Sequence, residues 1–161
     1  MPMLVPFVSP LAGRLPESTG GPYPARGQPN TREPRRILVA DDDPTFCECI
    51  AVVLSRSGFE VETVADGEEG WRAVRNRRFD LVITDHEMPK MTGLSLIRKI
   101  REAPMEAPCI LISASLPAPE SSLMPLIQPG AVLEKPFVFR SLTKVVFSLL
   151  GQDALPEAYS R

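Results

Sequence analysis

Ile37-Leu38-Val39-Ala40-Asp41-Asp42-Asp43-Pro44 changes character at its midpoint, where four unbroken apolar residues run into three carboxylates and a proline. A short apolar run without polar alternation suits a strand buried on both faces. The same texture recurs at Leu81–Ile83, shortly before Asp85, and at Cys109–Ile112, directly before Ser113. Between these runs the apolar residues take helical spacing: first Phe46, Cys49, Ile50, Val53 and Leu54, ended by Gly58, then residues 66–76, then Leu94, Ile97 and Ile100. Val61–Val64 and Ala131–Glu134 supply two shorter strands. Phe139, Leu142, Val145, Val146 and Leu149 supply a last helix. Five strand and helix units in about 115 residues predict an α/β fold, a doubly wound five-stranded parallel sheet with right-handed crossovers.

The rest of the chain limits what such a sheet is for. With 161 residues there is material for about one domain. A net charge of -2 leaves no overall basic field to hold nucleic acid by its phosphates. The longest uncharged stretches, 1–13, 107–119 and 121–133, are 13 residues each and contain proline, short of the roughly 18 to 20 apolar residues of a membrane span. The first of them lacks a basic region and is a poor signal peptide, so a cytoplasmic location is expected. Cys47, Cys49 and Cys109 have no zinc or redox spacing and read as small hydrophobes. Residues 1–35 hold 8 of the 18 prolines and 4 of the 10 glycines and are expected to be a disordered tail. A domain over 36–150 and a short tail over 151–161 complete the expected organisation, with no output domain attached.

Ligands of open parallel sheets bind at the carboxyl ends of the strands, and here those ends are chemically distinctive. Asp41, Asp42 and Asp43 follow the first strand, Asp85 the third, Ser113 the fourth, and Glu134, Lys135 and Pro136 the fifth. Carboxylates gathered on one rim repel and raise each other's pKa unless a cation neutralises them. Hard oxygen ligands of this kind suit Mg2+. A hydroxyl and an ammonium beside that metal stabilise negative oxygens, which points to phosphoryl transfer.

These segments resemble the receiver domains of two-component response regulators, over about residues 36–150. Ile37–Pro44 looks like the acidic-pair motif, which implies Asp41 and Asp42 as metal-site acids. Leu-Val-Ile-Thr-Asp-His-Glu-Met-Pro-Lys-Met-Thr-Gly at 81–93 resembles the phosphoacceptor segment. The resemblance makes Asp85 the nucleophile and a metal ligand, and gives Glu87 the place whose backbone carbonyl coordinates the metal. Leu-Ile-Ser-Ala at 111–114 puts Ser113 at the Ser/Thr switch, and Glu-Lys-Pro-Phe at 134–137 puts Lys135 at the family's lysine, before a proline whose peptide bond is usually cis. The resemblance implies the (β/α)5 flavodoxin-like receiver fold, Mg2+ as cofactor, and a histidine kinase or phosphotransfer protein as phosphodonor. Its function would be that of a signalling phosphoacceptor with an unidentified downstream protein partner, and not of an enzyme with external substrates.

Departures from the family pattern carry their own expectations. Thr92 stands where the family usually has Asp, at a helix N-cap that Thr also serves. Val132 occupies the place of the aromatic switch residue, so ring rotation cannot report phosphorylation. Pro117, Pro119, Pro125 and Pro129 predict a short or irregular fourth helix. His86 is given no role, and Arg72, Arg75, Arg77 and Arg78 read as a solvated helix face paired with Glu68 and Glu69. The last helix adds Phe147 and Leu150 to its apolar residues, which is either a docking surface for a partner or second copy or a wide core stripe. Two rival functions remain in view. One is an interaction module that is never phosphorylated. The other is a phosphatase resembling the haloacid dehalogenases, in which Asp41, Asp43 and Thr45 form D-x-D-x-T.

Overall fold

A computed structural model of the chain describes residues 33–151. The five strands are β1 (Arg36–Ala40), β2 (Glu60–Val64), β3 (Leu81–Asp85), β4 (Cys109–Ser113) and β5 (Gly130–Glu134). They alternate with α1 (Pro44–Arg56), α2 (Gly67–Asn76), α3 (Gly93–Glu102), α4 (Glu120–Ile127) and α5 (Phe139–Leu149). All pairings are parallel, in the order β2-β1-β3-β4-β5. Strand order reverses between β1 and β3, the topological switch point at which such sheets open a crevice. The expected 1–35 tail lies outside the described residues apart from its last three positions, as does the expected 151–161 tail beyond Gly151.

The central strands read as continuous apolar runs because both faces are covered, and strand alternation then divides the core. Ile37, Val39, Ile83, Ile110 and Ile112 pack with α1 and α5. Leu38, Val82, Cys109 and Leu111 pack with α2, α3 and α4. The starts of α1, α2 and α3 are fixed by side-chain caps. Asp43 accepts the amides of Thr45 and Phe46, Asp66 that of Glu69, and Thr92 that of Ser95, which satisfies donors a helix otherwise leaves bare. The third acid of the Asp41–Asp43 run is therefore structural. α4 is only eight residues long, contains Pro125 and has no side-chain cap, as its prolines lead one to expect.

One local expectation is corrected, and one left open between two readings is settled. Glu68 and Glu69 do not pair with the α2 arginines: the Glu69 carboxylate accepts the Ala65 amide at 3.1 Å, closing the N-terminal turn, and Arg77 reaches across to Glu62 at 3.3 Å. Phe147 is core, not surface. It is 5% exposed and meets the Phe59 ring edge-on at a centroid distance of 5.3 Å, and Leu150 is equally buried. Of the two readings of the α5 stripe, Phe147 and Leu150 therefore follow the wide core stripe.

Because Phe147 fills a site with no slack, Phe147→Ala should cost about 3 to 5 kcal/mol through lost burial and a residual cavity. Urea unfolding checks this, and a loss below ~1 kcal/mol would return the side chain to the surface.

Candidate functional site

At the switch point, β1 delivers Asp41 and β3 delivers Asp85, both nearly inaccessible at 3% and 5% exposed. Two carboxylates taken out of water need compensation. Lys135, delivered by the end of β5, provides it: its Nζ donates to Asp85 Oδ1 at 2.7 Å and to Asp41 Oδ2 at 3.5 Å. The free oxygens are also engaged, Asp41 Oδ1 by the Asp43 amide at 2.9 Å and Asp85 Oδ2 by the Glu87 amide at 2.7 Å. The Lys135–Pro136 peptide is cis.

Electrostatics at this rim are uneven. Burial pushes the Asp41 carboxyl above its ordinary 3.8, and the Asp85 charge adds to it, while the Asp43 amide and the Lys135 ammonium pull the other way without cancelling the rise. Burial also works against the Lys135 ammonium, but its hydrogen bond to Asp85 and the charges of Asp41 and Asp85 outweigh that and raise its pKa. Lys135 is therefore a fixed cation at neutral pH. Beneath Asp41, the Cys47 thiol donates to the Asp41 carbonyl at 3.4 Å, and burial pushes its pKa up to about 11, so it stays protonated and inert.

The loop after β3 is held against the site from outside. Lys90, in the left-handed conformation at φ 65°, pairs with the buried Asp66 that caps α2. Gly93 is required where this loop turns into α3, because a Cβ there would stand 2.1 Å from the Asp85 carbonyl oxygen.

Not every expected group converges. Ser113 is fully buried, but its hydroxyl donates to the Ser115 carbonyl at 2.6 Å and accepts the Ser115 amide at 3.2 Å, with no bond to Asp85 or Lys135. Asp42 and Glu87 are exposed. Among the described residues no three His, Cys, Asp or Glu side chains form a ready metal cluster. Mg2+ does not require one, since it keeps several waters and commonly takes one or two carboxylates. Asp41 supplies such a carboxylate, its charged form disfavoured by burial and relieved by a cation, with Asp85 alongside. The donor set therefore fits Mg2+.

Sequence reading overlooked Phe46 as part of the site. Its ring lies 4.4 Å from the Lys135 ammonium and packs with Phe137 and Phe139, so it supports the cation from below. Its helical spacing marked it as apolar and nothing more. His86 Nδ1 is buried without a hydrogen-bond partner.

A family model described as response regulator receiver domain matches residues 37–147. The chain belongs to that family and is a receiver domain of two-component signalling. It is 34% identical to the response regulator TrrA of Thermotoga maritima, solved in complex with Mg2+ and BeF, covering 72% of this chain and 99% of that one with a TM-score of 0.64. It is 28% identical to the chemotaxis protein CheY4 of Vibrio cholerae, covering 73% and 100% with a TM-score of 0.66. Among curated proteins, the transcriptional regulatory protein DltR of Streptococcus agalactiae is 35% identical over 79 residues, 49% of this chain and 35% of that one. The match thus spans about a third of that longer relative.

Asp41 and Lys135 make opposite predictions for the metal-free protein. A folded-state pKa above the unfolded one means that the charged carboxylate opposes folding, so the stability tied to Asp41 is complete below pH 3.8 and is lost as pH rises through the raised value. Asp41→Asn should therefore raise the thermal midpoint at pH 7, with a gain that shrinks toward pH 4. Lys135→Met should lower the midpoint at pH 7 by leaving both carboxylates unneutralised. Calorimetry in EDTA checks both signs.

Proposed function

We propose that Asp85 accepts a phosphoryl group from a phosphohistidine on a histidine kinase or phosphotransfer protein. One observation carries the reading: Lys135 holds Asp85 by a short charged hydrogen bond at the switch-point crevice, which fixes one carboxylate oxygen and leaves the other on a backbone amide. In the transfer an Asp85 oxygen attacks phosphorus in line, the P–N bond breaks as the O–P bond forms, and the electron pair leaves with the imidazole. The product is an acyl phosphate. Lys135 then faces a doubly charged phosphoryl group where it had faced a carboxylate, and its permanent charge stabilises the oxygens that develop.

Asp41, Asp42 and the main-chain carbonyl of Glu87 would hold Mg2+, which supplies charge neutralisation between the acids and the incoming phosphoryl group. Ser113 is the group left to bind a phosphoryl oxygen. To do so its hydroxyl must leave Ser115, which frees the backbone at the start of the β4–α4 connection. That exchange couples the site to the short α4 without an aromatic at position 132, by shifting a pre-existing equilibrium. Asp43 is spent on the α1 cap, which removes the second acid from a phosphatase of the D-x-D-x-T type. The protein is read as a cytoplasmic signalling phosphoacceptor with at most self-dephosphorylation, passing its signal to a protein partner.

Phosphoramidate with Mg2+ should add one phosphoryl mass, labile to alkali and hydroxylamine, and Asp85→Asn should abolish it. Mass surviving that substitution would show another acceptor, and no mass on the wild type would leave an interaction module.

Calorimetric titration should show Mg2+ binding lost in the Asp41→Asn/Asp42→Asn double variant. Unchanged affinity would remove these acids from the metal site.

A further inference from the structure

The phosphoryl site occupies the carboxyl ends of the strands. At the opposite end, where β3 and β4 begin, the last turns of α2 and α3 and the loops after them enclose a groove of about 1070 Å³. Its lining includes Trp71, Phe79 and Met105, all partly buried, the exposed Arg75, Arg77 and Arg78, and the exposed Glu106. Trp71, Phe79 and Met105 pack on the core shared with α2, α3 and α4 and keep part of their surface in the groove.

The cations of the groove are unevenly committed. Arg77 is paired with Glu62. Arg101 spends its guanidinium inward on the carbonyls of Leu126, Ala107, Ile127 and Pro129, tying α3 to the end of α4. Arg75 and Lys99 have no carboxylate in ion-pair contact among the described residues, and lie 6.0 and 5.5 Å from the centre of the Trp71 ring. Arg78 is exposed and makes no ion pair there either. The result is an indole flanked by two cations, with Arg78 in the lining of the same groove. Trp and Arg in a partly desolvated concavity are the residues that dominate the energy of protein interfaces.

We propose that this groove docks an acidic segment of a partner protein that carries an aromatic or large aliphatic side chain. Charge complementarity selects the occupant: Arg75 and Arg78 line the groove without an acidic partner, the lining carries a single carboxylate, Glu106, against four arginines, and carboxylates spaced along a peptide can meet the free cations while an apolar side chain reaches Trp71, Phe79 and Met105. A compact phosphate ligand fits less well, because the guanidiniums are bound in different directions, over Trp71, toward Glu62 and toward buried carbonyls, and do not converge on one point. Sitting at the far end of the sheet from Asp85, the groove leaves the phosphoryl rim open, so a phosphodonor and this partner can bind at once. The proposal does not depend on the chemistry assigned to Asp85.

Trp71 is the chain's one tryptophan, so its fluorescence reports on the groove alone. The full chain would be used to select from a displayed library of random 12-residue peptides, and the strongest binder synthesised, together with a version whose acidic residues are changed to lysine. Enrichment of acidic residues around an aromatic or leucine, a saturable Trp71 change with the acidic peptide, and about tenfold or greater weakening by Arg75→Glu/Arg78→Glu are expected, with phosphorylation by phosphoramidate unchanged in that variant. Absence of acidic enrichment, equal binding of the lysine version, or equal binding by the double variant would overturn the proposal. So would a saturable Trp71 response to ATP or inorganic phosphate without one to the acidic peptide, which would make the groove a small-anion site.

Discussion

Two carboxylates from different strands are held within reach of one ammonium, and much of the molecule is arranged to keep them there. Asp41 and Asp85 are buried almost completely, which in isolation would be a strongly unfavourable state for either charge. Lys135 makes the pair tolerable without making it comfortable: the Asp41 carboxyl still stands above its ordinary pKa. The site is thus left with an unmet demand for positive charge, which a cation such as Mg2+ would answer. A phosphoryl group adds negative charge at the same place, so the groups that hold the resting carboxylates are also those that can hold the product.

The sheet order supplies the geometry. β1 lies between β2 and β3, and reversal of winding between β1 and β3 opens the crevice into which Asp41 and Asp85 project. The frame around it is fastened by interactions that take no part in the chemistry: Asp43 caps α1, Thr92 caps α3, and Lys90 binds the Asp66 cap of α2. Gly93 lets the turn into α3 fold back onto the Asp85 backbone. Beneath Lys135, the Phe46, Phe137 and Phe139 rings give the ammonium an apolar base.

Position 132 bears on how a signal leaves the site. Val132 lies partly buried against the core on the face shared with α4, and no ring there can rotate in response to Ser113. What the structure offers instead is the Ser113 hydroxyl already bonded in both directions to the Ser115 backbone. Under the proposed function, release of that hydroxyl would leave an amide and a carbonyl in need of new partners. The adjoining α4 is eight residues long, contains Pro125 and lacks a side-chain cap.

The sequence by itself determined the sheet, the helices between its strands and the residues at the strand ends, because a parallel sheet covered on both faces demands unbroken apolar runs, and because Asp41, Asp85, Ser113 and Lys135 each follow such a run. It also determined that α4 would be short, since proline removes amide donors whatever the context. Tertiary structure decided the rest, wherever a group chooses among several partners. Asp43 has the same chemistry as Asp41 and Asp42, but only the start of α1 makes it a cap. Glu69 was free to pair with Arg72 one turn away, and the Ala65 amide took it instead. Phe147 continues an apolar stripe whose width shows whether it faces core or solvent only once Phe59 is seen against it. Phe46 carries no mark of its place under Lys135, 89 positions away in the chain, because a contact between distant segments is set by how strands and helices pack and not by local pattern.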